Sequence, residues 1–196
     1  MVAHAIDEAT LWNKLRDTPP QSFLFGSRFG FISNRWSKPP FNVMKCNMHI
    51  SWINDSQRCG GACIIRDHFG DAVFHARDMF LPVSNRIAGE LRGFIWVLQS
   101  LRDLHLDNIE IWSDCNAAIK AILEPLHWPR YASYLNKIHH LVPSFGKVSF
   151  QLSSPKANRI TRDIATSVTR DGRSRSYLAR GGPSWLLSRL EEEKRR

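Results

Sequence analysis

Two carboxylates stand where side-chain chemistry is possible. Ile87, Leu91, Phe94, Ile95, Leu98 and Leu101 recur at helical spacing from about Ser84 to Leu104, behind a plausible Ser84 cap. Glu90 falls within or beside that stripe, three residues after Ile87 and four before Phe94. A carboxylate so placed points toward whatever the stripe covers, where burial is costly without a cation or a hydrogen-bond partner. It is either a ligand or an edge residue, solvated or paired with Arg86 or Arg92. Asp114 closes a strand-like run from Asn108 to Trp112 and precedes a helix-like run from Cys115 to Leu123. Such strand ends collect ligands in α/β sheets, and an Asp there is equally an ordinary helix cap.

Other chemistries are poorly served. Cys59 and Cys63 are closely spaced, but the second close pair that a zinc site needs is missing. With Cys46 and Cys115 they form no dense framework and read as free thiols. There is no Gly-rich phosphate loop with a Lys and no Gly-x-Ser-x-Gly elbow, and His139 and His140 face different directions on their helix.

The elements that must position the two acids follow from periodicity. From Met44 to Trp52 the residues alternate, with Met44, Cys46, Met48, Ile50 and Trp52 on one face and Lys45, Asn47, His49 and Ser51 on the other, which reads as a strand with one buried face. A Gly60-Gly61 turn leads into a strand from Ala62 to Arg66. Asp67 to Asp71 then supplies turn chemistry before a strand from Ala72 to Ala76. After the helix bearing Glu90 and the strand ending at Asp114 come helices at Cys115 to Leu123 and Tyr131 to Leu141. A strand from Lys147 to Leu152 and a helix from Asn158 to Thr169 complete the order. The string βββαβααβα implies an α/β fold, a mixed five-stranded sheet with helices on its faces.

The 196 residues suit one domain with extensions: residues 1–41 as an N-terminal extension and linker, 42–169 as the folded domain, 170–196 as a basic tail. The net charge of +9 is uneven, with 16 Lys/Arg against 13 Asp/Glu in residues 1–150 and 11 against 5 in residues 151–196. Such an excess favours polyanions through a salt-sensitive attraction. No run of roughly 18 apolar residues is present and the first 16 residues lack the apolar core of a secretory signal, so a cytoplasmic or nuclear site without a membrane is expected.

Several spaced motifs carry a resemblance. Lys45-Cys46-Asn47-Met48-His49, Gly60-Gly61-Ala62, Arg66-Asp67-His68-Phe69-Gly70, Ala88-Gly89-Glu90-Leu91, Ser113-Asp114 and Ala157-Asn158-Arg159 occur in that order. They resemble the ribonuclease H superfold, specifically the plant reverse-transcriptase-like branch of type 1 ribonuclease H domains found in retroelements and genes derived from them. The likeness covers roughly Met44 to Val168, and Arg180-Gly181-Gly182-Pro183-Ser184-Trp185 is similar to a tail of these proteins.

The resemblance implies a ribonuclease H-like fold and hydrolysis of the RNA strand of an RNA/DNA hybrid by two Mg2+ ions held in four carboxylates. Hard, strongly hydrated magnesium needs oxygen ligands, and two such ions activate a water and stabilise the leaving oxygen. Glu90 and Asp114 match the second and third positions, whereas the first falls on His49 and the fourth on Arg162. An imidazole suits zinc or iron better than paired magnesium, and a guanidinium puts a permanent positive charge where a cation belongs. The implied site is therefore Glu90 and Asp114 with weak or absent metal binding, and His49 and Arg162 as substituted positions.

Three readings follow. The first is a catalytically impaired domain that grips RNA/DNA hybrid or duplex by its backbone, through Asn47, Asn158, Arg159, Arg170, Arg173 and Arg175, with Arg162 filling the emptied metal position. The second is an active metal-dependent hybrid endoribonuclease, working with magnesium or manganese, in which Asp163 or Asp55 replaces a lost ligand. The third is a non-catalytic protein-interaction scaffold, suggested by Trp185-Leu186-Leu187 and the charged end from Glu191 to Arg196.

Overall fold

The computed structural model describes residues 33–195. Most of the expected N-terminal extension, residues 1–32, lies outside them.

The expected order βββαβααβα is present. Its strands are β1 (Met44–Ser51), β2 (Cys59–Arg66), β3 (Ala72–Phe80), β4 (Asn108–Ser113) and β5 (Lys147–Leu152), and its helices are α1 (Arg86–Asp103), α2 (Asn116–Leu123), α3 (Ala132–Leu141) and α4 (Arg159–Arg170). The sheet is larger than the five strands expected. Tyr177–Arg180 forms β6, antiparallel to β3, and Leu187–Arg195 forms α5. The strand order is β5-β4-β1-β2-β3-β6, with β1, β4 and β5 parallel and the other neighbours antiparallel. Four residues with three charged or polar neighbours upstream gave β6 no hydrophobic run to read. It is held by pairing with β3 instead.

Two further expectations are corrected. Gly60 and Gly61 are no turn but lie inside β2, paired with Ser51 and Ile50 of β1. A Cβ at Gly60 would strike the Ala165 carbonyl and the Val168 side chain of α4, and one at Gly61 the Phe80 ring, so glycine lets the helix settle close to the sheet. The cap of α1 is Asn85, not Ser84, because the Asn85 side chain accepts from the Ala88 amide at 3.0 Å.

β1 is buried on both faces rather than one. Met48, Ile50, Leu91, Phe94 and Ile111 belong to the larger core on the α1 side of the sheet. On the opposite side Ala62 and Ile64 meet Ile160, Ile164 and Ala165 of α4, together with Leu186 and Leu190 at the start and middle of the C-terminal helical segment. α4 and α5 thus cover the face that carries Lys45, Asn47 and His49. A covered second face also explains why polar residues there are pinned by hydrogen bonds instead of solvated. The four cysteines are free and buried, and no helix among the described residues is long and apolar enough to cross a membrane.

Candidate functional site

The parallel pairing of β1 and β4 sets the site. Asn47 stands opposite Trp112, so His49 and Asp114, each two residues further on, end up side by side at the carboxyl end of the central strands. His49 Nδ1 lies 2.9 Å from Asp114 Oδ1 and 3.8 Å from Glu90 Oε1. Glu90 projects from the inner face of α1, fully buried, and Ser113 Oγ donates to its Oε2 at 3.3 Å. That burial excludes a solvated Glu90, whereas the Arg86 partner that the sequence also allowed does approach it, with Nη2 3.8 Å from Oε1. Asp114 does not cap α2: Cys115 holds the cap position, and its amide donates to Ser113 Oγ at 3.1 Å.

Two arginines close the group. Arg162, in the first turn of α4, donates from Nη1 to Asp114 Oδ2. Arg86, one turn before Glu90 on α1, brings Nη2 to 3.5 Å from Asp114 Oδ1 and 3.8 Å from Glu90 Oε1. The signal for Arg86 was its spacing of four residues from Glu90, which makes helical neighbours. Both guanidinium side chains reach solvent, Arg86 with 45% and Arg162 with 37% of its side chain exposed, while the Asp114 carboxylate is covered.

Electrostatics follow from this packing. Burial, and then the neighbouring Asp114 charge, push Glu90 up to about 8. Burial also pushes Asp114 upward, but its bonds to His49 and Arg162 prevail and hold it below the usual carboxylate range. Burial lowers His49, against the pull of Asp114, so its imidazole is neutral near pH 7. At that pH Glu90 carries a proton, Asp114 is the one ionised acid, and two permanently charged guanidinium groups face it. The site has an excess of positive charge.

Could it hold a metal? Donor atoms of His49, Glu90 and Asp114 lie within 4.8 Å of one another, close enough to share an ion, and Glu90 Oε1 is buried without a hydrogen-bond partner. The paired Mg2+ ions implied by the resemblance do not fit this donor set. Magnesium takes oxygen ligands in near-octahedral geometry, whereas one donor here is an imidazole nitrogen and Asp114 Oδ2 is taken by Arg162. Neither proposed substitute is delivered: Asp163 is ion-paired with Arg189 of α5 at 2.5 Å, and Asp55 accepts from Ser56 in the loop after β1.

The residues expected to bind nucleic acid divide into three sets. Asn47 and Asn158 do not face solvent, each being 1% exposed. Asn47 accepts from Trp36 Nε1 at 2.9 Å and donates to Asn158, whose own amide donates to the Met48 carbonyl at 2.8 Å. They tie α4 and the segment before β1 to the sheet. Arg159 is exposed at the start of α4, near the cluster. Arg170, Arg173 and Arg175 are exposed at and beyond its other end, apart from Arg162.

A family model described as reverse transcriptase-like matches residues 47–168, a span that contains His49, Glu90, Asp114 and Arg162. Among solved structures, ribonuclease H1 of the halophilic archaeon Halobacterium salinarum superposes with a TM-score of 0.61 at 14% identity, covering 66% of this chain and 98% of that one. LC11-RNase H1, isolated from compost by a metagenomic approach, gives 0.59 at 12% identity, covering 67% and 99%. The same LC11 enzyme in complex with an RNA/DNA hybrid gives 0.56 at 12%, covering 63% and 94%. These likenesses establish the ribonuclease H-like fold. A curated relative from Arabidopsis thaliana, putative protein phosphatase 2C-like protein 45, is 80% identical over 44 residues. That stretch is 22% of this chain and 18% of the relative's length.

Proposed function

This chain belongs to the reverse transcriptase-like family, and from that premise we propose that it is a ribonuclease H-like nucleic-acid-binding domain whose metal-dependent cleavage is impaired. The observation that carries the proposal is the pairing of Arg162 with Asp114 beside His49. A site that in a working enzyme gathers negative charge to hold cations here carries its own cations on the chain. Coulomb repulsion from Arg86 and Arg162 opposes a divalent ion, and the same two groups favour a phosphate.

In this account each residue has a defined task. Asp114, held ionised by His49 and Arg162, fixes the two guanidinium groups by their inner faces. Their solvent-facing edges meet backbone phosphates of a hybrid or duplex, and exposed Arg159 extends the contact along the strand. Glu90, protonated and buried, supplies no charge for a metal. Recognition by this arrangement is of backbone and shape, not of base sequence.

The test is gel retardation of a labelled RNA/DNA hybrid across a salt series. Wild type retards the probe at low salt and loses it steeply as salt rises. Arg162→Ala weakens binding and flattens the logarithmic salt slope by about one contact. Absence of any retardation at low salt overturns the proposal.

A further inference from the structure

The C-terminal segment carries a surface that the backbone grip does not use. Gly181 and Gly182 lead from β6 into Ser184–Leu186, where Leu186 is 2% exposed and anchors the turn in the second core, while Trp185 stands 45% exposed. The Arg173 guanidinium lies 5.3 Å from the centre of the Trp185 ring. Arg173 is not adrift in a loose loop. Its amide donates to the Ser167 carbonyl at 3.2 Å, Ser174 N donates to Gly172 O at 2.8 Å, and Arg77 Nε donates to the Arg175 carbonyl at 3.1 Å. Ser176 Oγ further donates to Asp78.

Charge names the occupant. From Arg170 to Arg180 there are four arginines and one acid, Asp171, which is engaged by Arg170. Arg173 and Arg175 have no carboxylate partner among the described residues. A large exposed indole beside an ordered guanidinium, where the four arginines outnumber Asp171 and the Ser176-bonded Asp78, suits a flat π-face flanked by phosphates. An apolar protein partner would have to bury those arginines uncompensated.

We infer that Trp185 and Arg173 form a stacking site for an unpaired base of single-stranded nucleic acid, with Arg175 meeting a flanking phosphate. The site lies off the far end of α4 from Arg162, and the eight residue steps from Arg162 to Arg170 put about 12 Å of helix between them. It therefore goes beyond the hybrid grip, since a duplex keeps its bases stacked on one another and has none to offer the indole.

The experiment compares, for the full chain, the anisotropy of labelled oligo(dT) with that of an abasic oligomer of equal length and equal phosphate count. Wild type binds oligo(dT) about 5- to 100-fold more tightly than the abasic strand. Trp185→Ala brings oligo(dT) down to the abasic level, Trp185→Phe retains most of the preference, and neither changes affinity for the hybrid. Equal binding of the two oligomers by wild type overturns the inference without using any variant. So does an undiminished preference in folded Trp185→Ala. Hybrid binding that persists while the preference is absent sinks this inference alone; loss of hybrid binding with the preference intact sinks the backbone grip alone.

Discussion

Arg162 Nη1 donates to Asp114 Oδ2 while His49 Nδ1 stands 2.9 Å from Oδ1 of the same carboxylate. Both oxygens of the covered acid are thus engaged by the two residues that stand where carboxylates were expected. Asp114 is held as an anchor for cations of the chain itself.

Removing that anchor's partner tests the electrostatic part. Arg162→Ala leaves one oxygen of a covered carboxylate short of its donor, with Arg86 and His49 remaining. The variant is expected to lose about 1–3 kcal/mol of stability, measured by urea unfolding. A variant as stable as wild type would mean that water replaces the guanidinium at no cost.

Glu90 makes stability pH-dependent with a definite sign. Its folded value of about 8 exceeds its ordinary 4.5, so between those values the folded chain keeps a proton that the unfolded chain has released. Its contribution is fully present below about 4.5 and is lost as pH rises through about 8. Glu90→Gln cannot lose a proton, so its stability relative to wild type should climb from pH 5 to pH 8. Parallel unfolding midpoints for the two proteins would contradict this.

Arg66 provides a second test, remote from the site. It is 1% exposed, its guanidinium lies 4.2 Å from the Trp36 ring centre, and Glu193 of α5 accepts from it at 2.7 Å. Glu193→Ala strips a buried charge of its counter-ion and should cost about 3–5 kcal/mol, whereas Arg66→Met, which removes the charge itself, should cost less. Thermal unfolding of the two variants gives the order, and the reverse order would refute the ion-pair account.

Asn158 and Arg159 are neighbours with opposite expectations. Asn158→Ala breaks the buried link to Asn47 and Met48 and should cost about 1–3 kcal/mol of stability while leaving hybrid affinity of the folded protein intact. Arg159→Ala should do the opposite. Gel retardation beside unfolding separates them, and a binding defect confined to Asn158→Ala would return that residue to the interface.

Legibility from sequence followed the range of the forces involved. α1 and β1 were plain because periodic apolar residues face a core, and the helix stripe also placed Glu90. The convergence of His49, Glu90, Asp114 and Arg162 was legible through the family motifs alone, since parallel pairing of β1 with β4 leaves no local mark in either strand. Asn47 and Asn158, read from sequence as backbone-binding residues, are instead buried partners of one another 111 residues apart, and nothing local says that α4 and α5 will cover that face. β6 escaped notice for the same reason, as did the use of Gly60 for close helix approach.

The most direct measurement of the central claim is a calorimetric titration of Mg2+ and then Mn2+ into the protein, with a labelled RNA/DNA hybrid cleavage assay under the same conditions. Neither ion is expected to bind saturably or to support cleavage, and the hybrid is still retarded at low salt. Metal-dependent cleavage that vanishes in Asp114→Asn would contradict the central claim, and would show that an ion can displace Arg162 from Asp114.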